Sequence, residues 1–457
     1  MYRYRWYRPG DVNLLQNRHI CVTVSLQRPP ASHVICQSQP AVEEQEVPFQ
    51  ATALFPPIIA KDLSSLIAQK KAELQHFDVL AMDRAAAILM WGRSGSLLLA
   101  SYLDGHEDVI MLPEDFSQKL YEFFEDHRNL SLAEKLMESP AFYPGYDRFF
   151  KGPFAISSTQ YYAAIQAILE VSGQWPSEFL ESRRAFFVLA HIAYTLALGR
   201  RPASSTPLIV YQQHVWNNAA ARNLVEDFPQ AKFIHTVRDP ISSVDGVFQY
   251  HLHALAEHHL FLPYSAFEFL ANKDRPQLGM ESRTWAVRFE DLHLATEATM
   301  HALSDWLGLS YRNTLLDSTF NGIPWVVTRD GVSWSGRRLQ NVQRRSSNLS
   351  PLDRALMFVF FYENFVEWNY PFPKLLRYRI VRLAVFVFLF LLPTKMEVVA
   401  AREVFKKRIL RSLRQRDFLG AIKLLGVFGF CRVKIVALMT PALFSRRARA
   451  ELVRPVH

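Results

Sequence analysis

Two short stretches combine residue types suited to holding an anion. The first is GRSGS at 92–96, set between the apolar run AAAILMW (85–91) and LLLASYL (97–103). Gly92 and Gly95 let the backbone close tightly around a ligand. A helix opening at Ser96 turns free N–H groups and the positive end of its dipole toward the same place. Arg93, Ser94 and Ser96 add side-chain donors. This is the design of a phosphate cradle, with a plain strand–Gly–helix packing turn as the alternative. It is not the nucleotide-hydrolase loop G-x-x-x-x-G-K-[ST], because no Lys follows the second glycine. The second stretch is RDP at 238–240, which closes the run KFIHTV (232–237). Ligands of open parallel sheets bind beyond the carboxyl ends of the strands. An Arg placed there can grip a phosphate with two parallel hydrogen bonds. The plainer reading of Arg238 is an ion pair with Asp239 or another carboxylate.

Both stretches need strands to position them. Four short apolar runs serve: 85–91, 207–211 (PLIVY), 232–237 and 285–289 (WAVRF), each bounded by turn or helix-start chemistry as a strand buried on both faces should be. Helices are expected over 96–104, ending at Gly105, over 217–226, ending before Phe228-Pro229, and over 295–307, ending at Gly308. Short apolar runs alternating with longer amphipathic stretches predict an α/β fold, a parallel sheet flanked by helices.

Composition bounds the rest. Of 457 residues, 49% are hydrophobic and 21% charged, which excludes a disordered or collagen-like chain. The net charge of +9 is unevenly spread: residues 376–457 hold 18 Lys and Arg against 4 Asp and Glu, and the other 375 residues hold 34 against 39. A mildly acidic body with a basic tail excludes a basic stripe through the fold, so no nucleic acid is expected as partner. Three cysteines, Cys21, Cys36 and Cys431, lack paired spacing and suit a reducing compartment. The opening MYRYRWYRPGDVNLLQNRH shows neither an apolar h-region nor a small-residue cleavage site. The organisation expected is an irregular extension over 1–45, an α/β domain over 46–375 and a basic, apolar helical tail over 376–457. In that tail, LAVFVFLFLLP (383–393) is too short for a span of about 20 residues. Flanked by Lys and Arg, it suits an element lying in an anionic membrane surface, which implies a cytoplasmic protein held on the inner face. The alternative is a helical subdomain packed on the core with a solvated basic face. His251, His253, His258 and His259 lack H-E-x-x-H spacing and read as a polar helix face, so no metal is expected. Glu290-Asp291 reads as capping and packing.

Taken together, RSGS (93–96), TVRDP (236–240), VRFEDLH (287–293) and SWSGRR (333–338) occur in the order that resembles the sulfotransferase superfamily, over roughly 85–350. RSGS is similar to the Arg-bearing branch that includes carbohydrate and tyrosylprotein sulfotransferases. The resemblance implies a P-loop-type fold and a sulfuryl donor, 3′-phosphoadenosine 5′-phosphosulfate, as co-substrate without a metal. It implies a hydroxyl acceptor, with a lipid or glycan suggested by the tail. Gly92, Arg93, Ser94, Gly95, Ser96 and Leu97 would grip the 5′-phosphosulfate, with Arg93 also stabilising the leaving group. Arg238 would hold the 3′-phosphate, and Gly336, Arg337 and Arg338 would form the basic loop that closes over it. The chain departs from the family where Gly246 replaces a Ser eight residues after the Arg, leaving Ser242 and Ser243 as nearby hydroxyls. It departs again where Gln213 stands in place of the tyrosine branch's Lys. Two residues compete as general base: Glu114, 21 residues after Arg93, and His214, which ends the stretch PLIVYQQH (207–214). A catalytically inactive, membrane-peripheral nucleotide-binding protein of the same fold is the second expectation.

Overall fold

Ala85–Leu89 (β1) is buried along its whole length. Its residues divide alternately between two apolar layers, as the two-residue period of a strand requires. Ala85, Ala87 and Leu89 face a cluster built with helices Ala60–Leu74, Ser158–Ser172 and Arg183–Ala197. Ala86 and Ile88 face a second cluster with helices Ser96–Leu103 and Thr296–Leu307. Small alanines at the centre of the sheet let helices approach closely on both sides.

The computed structural model describes residues 60–89, 94–112, 120–139, 155–213, 218–254, 281–329, 332–343 and 349–392, with parts of 395–452. The chain divides into two units, residues 1–49 and 50–457, and the described residues belong to the second. The expected extension over 1–45 lies outside them.

Four more strands follow β1: Val109–Met111 (β2), Leu208–Gln213 (β3), Lys232–Val237 (β4) and Thr284–Arg288 (β5). Together with Glu451–Leu452 they form a sheet in the order Glu451–Leu452, β5, β4, β1, β3, β2. Every pairing in it is parallel. The order turns back on itself at β1, which lies between β3 and β4, with Leu89 opposite both Gln213 and His235. Such a switch point opens a crevice at the carboxyl ends of the strands. β3 runs two residues beyond its apolar run, because Gln212 and Gln213 are buried and pair with Ile88 and Leu89. Two antiparallel hairpins, Thr319–Phe320 with Ile323–Pro324 and Val326–Arg329 with Val332–Ser335, precede the basic turn at 336–338.

A third apolar cluster joins Val237, Val244, Phe248 and Ala286 to helix Pro351–Phe360. Helix Arg379–Leu391 packs Val381, Val385 and Phe386 on this cluster, with the Phe386 and Phe360 rings 5.7 Å apart. Among the described residues no helix is long and apolar enough to cross a membrane.

Candidate functional site

Gly95 sets the geometry of the first loop. Its φ of 87° is left-handed, and it is the cap from which helix Ser96–Leu103 starts. A side chain there would also have no room, since a Cβ would lie 2.4 Å from the Phe289 ring. Glycine thus allows both the turn and the contact with the corner after β5. The first intrahelical bond runs from the Leu99 N–H to the Gly95 carbonyl at 3.0 Å, so the amides of Ser96, Leu97 and Leu98 precede the helical ladder. Ser94 and Ser96 are buried and Leu97 is half-buried. The Ser94 hydroxyl lies 2.7 Å from that of Thr236, which donates in turn to the Leu89 carbonyl at 3.4 Å. The loop after β1 is thereby tied to the neighbouring strand β4. Gly92 and Arg93 lie outside the described residues, as do both expected bases, Glu114 and His214.

The RDP triplet divides its labour. Asp239 accepts the Ser242 N–H on its carboxylate at 2.7 Å, and Pro240 opens helix Pro240–Ala254, where its missing N–H costs nothing. Burial pushes the Asp239 carboxyl above the ordinary range, while those hydrogen bonds and Arg238 pull the other way. Arg238 lays its guanidinium over the Phe289 ring, 4.4 Å from the centroid. It stacks there close to Asp239 and Glu290, whose carboxyls both feel its charge. Ser242 and Gly246, four residues apart, share one side of the helix, with Ser242 and Gly246 half-buried and Ser243 buried beside them.

The corner after β5 secures this arrangement. Phe289 donates its N–H to the Val237 carbonyl at 2.7 Å. Glu290 accepts the Asp239 N–H at 3.2 Å and the Tyr370 hydroxyl at 2.7 Å, and burial pushes its carboxyl up. Arg288 binds Asp291 through two hydrogen bonds, of 2.7 and 2.5 Å, and reaches the Trp368 carbonyl at 3.1 Å. The two acids thus tie packed segments together rather than cap a helix, since Glu290 heads helix Asp291–Leu294 without a side-chain capping bond and the Asp291 carboxylate is engaged by Arg288.

The basic turn comes to the same place. The Arg338 N–H donates to Nδ1 of His293 at 2.9 Å, and the Arg338 guanidinium stacks 4.0 Å above the Trp334 ring. Gly336, with φ at 65°, passes over the Tyr102 hydroxyl. Burial pushes that hydroxyl up to about 12, and the charge of Arg337 opposes the shift. Phe289, His293 and Thr236 carry positioning roles that the motifs alone do not disclose, although the first two stand inside VRFEDLH. Among the described residues no three His, Cys, Asp or Glu side chains are grouped to hold a metal ion. What the corner offers instead are donors and cations: first-turn amides, Arg238, Arg337 and Arg338. A polyanionic ligand fits that set.

Residues 87–313 match the model of the sulfotransferase family. Similar solved structures include the sulfotransferase domain from the curacin biosynthetic pathway, 19% identical over 51% of this chain and 77% of that one, with a TM-score of 0.33. The sulfotransferase domain of the Synechococcus PCC 7002 olefin synthase is 18% identical over 64% of this chain and 96% of that one, at a TM-score of 0.34. A Mycobacterium avium sulfotransferase is 12% identical over 56% and 73% respectively, at 0.29. No curated protein matches the sequence.

Proposed function

Since the chain belongs to the sulfotransferase superfamily, we propose that it moves a sulfuryl group from 3′-phosphoadenosine 5′-phosphosulfate to an acceptor hydroxyl. The bond between sulfur and the 5′-phosphate oxygen breaks, and a bond from sulfur to the acceptor oxygen forms. The acceptor's proton passes to a base, Glu114 or His214, and adenosine 3′,5′-bisphosphate leaves. Charge grows on the departing phosphate oxygen, so fixed donors and positioning supply the catalysis. Arg93 and the amides after Gly95 act on the 5′ side. Arg238, Ser242, Ser243 and the 336–338 turn act on the 3′ side.

One observation carries the reading: the glycine turn after β1 and the Arg after β4 end on adjacent strands at the switch point, and Phe289 touches both. Two pieces of a divided anion site are thereby held at a fixed separation. The test is nucleotide binding followed by label transfer. Adenosine 3′,5′-bisphosphate is expected to raise the melting temperature where ATP with magnesium does not, and Arg238→Ala to weaken its binding by about 1.5–3 kcal/mol. The reverse preference between the nucleotides ends the proposal. A second reading, a nucleotide-binding protein without transfer, is favoured by Gln213, which stands where the tyrosine branch has Lys and accepts the Tyr211 hydroxyl. Binding without transfer of label from the donor to any fraction of a cell extract would select it.

The tail motivates the proposed acceptor class. Ile380, Leu383 and Val387 are 83, 43 and 55% exposed on helix Arg379–Leu391, beside exposed Arg377 and Arg379. An apolar stripe bordered by cations supports an enzyme seated on the inner membrane face and an amphiphilic acceptor, a lipid or lipid-linked glycan.

A further inference from the structure

His293 stands two residues past Asp291 in the short helix Asp291–Leu294, behind β5. Its ring is 2% exposed. A backbone N–H can only donate, so the bond from Arg338 to Nδ1 requires a lone pair on that nitrogen. In the neutral ring the proton must then sit on Nε2. That nitrogen is buried and has no hydrogen-bond partner among the described residues. Buried N–H groups rarely go unpaired, and a ligand is one of the few things that leaves such a group unmatched in the protein alone.

The surroundings indicate which ligand. The His293 ring meets the Phe289 ring edge-on at 4.5 Å, and Phe289 carries the Arg238 guanidinium at 4.4 Å. Burial first, and then the charge of Arg238, hold the imidazole down to about 4, so it is uncharged at neutral pH. An uncharged N–H donor and a guanidinium thus share one corner, and the basic turn is anchored to the same ring. We infer that His293 is a bifunctional binding residue, its Nδ1 anchoring the 336–338 turn and its Nε2–H donating to the anion that Arg238 holds. Under the proposed function that anion is the 3′-phosphate, and the inference rests on that reading. Through one rigid ring, closure of the turn and recognition of the phosphate become a single event.

The test uses the full-length protein and calorimetric titration with adenosine 3′,5′-bisphosphate and adenosine 5′-phosphate. His293→Asn keeps an acceptor near the Nδ1 position and deletes the distal donor. His293→Gln carries an amide group to the distal position. The wild type is expected to prefer the bisphosphate. His293→Asn should lose about tenfold in affinity for the bisphosphate, which is 1.4 kcal/mol, and nothing for the monophosphate, and His293→Gln should recover part of that loss. Equal losses for both nucleotides would reveal a purely structural ring and overturn the inference, as would an unchanged preference in both variants. A wild type that does not distinguish the two nucleotides overturns the sulfotransferase reading itself, and the inference with it. Melting temperatures of both variants identify any loss of fold, in which case the Gln variant decides.

Discussion

Gly95, Phe289 and Arg238 form a stack in which each member excludes an alternative for the next. Phe289 occupies the space a Cβ at position 95 would need, Arg238 lies on its face and His293 meets it edge-on. The ring is thus packed from three sides. Gly95→Ala therefore has two separate costs, the left-handed backbone of a residue at φ 87° and a contact of 2.4 Å. Together they should destabilise the fold by about 3 kcal/mol. Phe289→Leu, tested alone and in combination, separates them: the double variant should recover the steric share and retain the backbone share. A neutral Gly95→Ala in urea unfolding would show that the ring moves freely, and the stack would then position nothing.

Helix Arg183–Ala197 makes a different kind of commitment, because it buries a titratable ring in the centre of the first apolar cluster. His191 donates from Nδ1 to the Phe187 carbonyl at 2.7 Å, and burial pushes its pKa down to about 4. The unfolded ring titrates near 6.5, so on acidification the unfolded chain takes up a proton that the folded chain refuses. Stability from this group is full above about pH 6.5 and falls as the pH drops toward 4, by about 2 kcal/mol at pH 5. Asp239 and Glu290, raised by burial, act in the opposite sense, since the folded state protonates them first. Urea midpoints between pH 7 and 5 should therefore decline less steeply in His191→Phe than in the wild type; parallel slopes would refute the assignment. Elements of this kind were also the legible ones. The runs beginning at 85, 207, 232 and 285 declare strands because burial on both faces demands continuous apolar sequence. Val109–Met111, at three residues, has too little pattern to stand out, and Gln212-Gln213 extend β3 on polar residues. Glu451–Leu452 joins the sheet from within a basic tail, through a pairing with Trp285 and Ala286 that no local signal encodes. At the site, the glycine turn and the RDP triplet are visible in composition. The service of Thr236, Phe289 and His293 depends on contacts between segments far apart in sequence.

The whole molecule separates its charge into a body of net −5 and a final 82 residues of net +14. That final segment is not simply appended. Val381, Val385 and Phe386 pack on the third cluster and Glu451–Leu452 lies beside β5. Deleting it would therefore expose core and remove an edge strand, so loss of membrane binding after truncation would carry no meaning. Point changes on the exposed side of helix Arg379–Leu391 answer the question instead. Ile380, Leu383 and Val387 recur at intervals of three and four on the side opposite the packed residues, and folding gains nothing from their exposure. Under the proposed membrane seat such a stripe would enter the headgroup region, where each nearby Lys or Arg adds about 1 kcal/mol on an anionic surface. The full-length protein should co-sediment with vesicles containing phosphatidylserine, less so at raised salt, and scarcely with phosphatidylcholine alone. Ile380→Glu with Val387→Glu should reduce that binding by tenfold or more while the melting temperature and affinity for adenosine 3′,5′-bisphosphate stay unchanged. If the doubly substituted protein sediments with the vesicles as the wild type does, this helix is not the membrane seat, and the case for an amphiphilic acceptor loses its structural support.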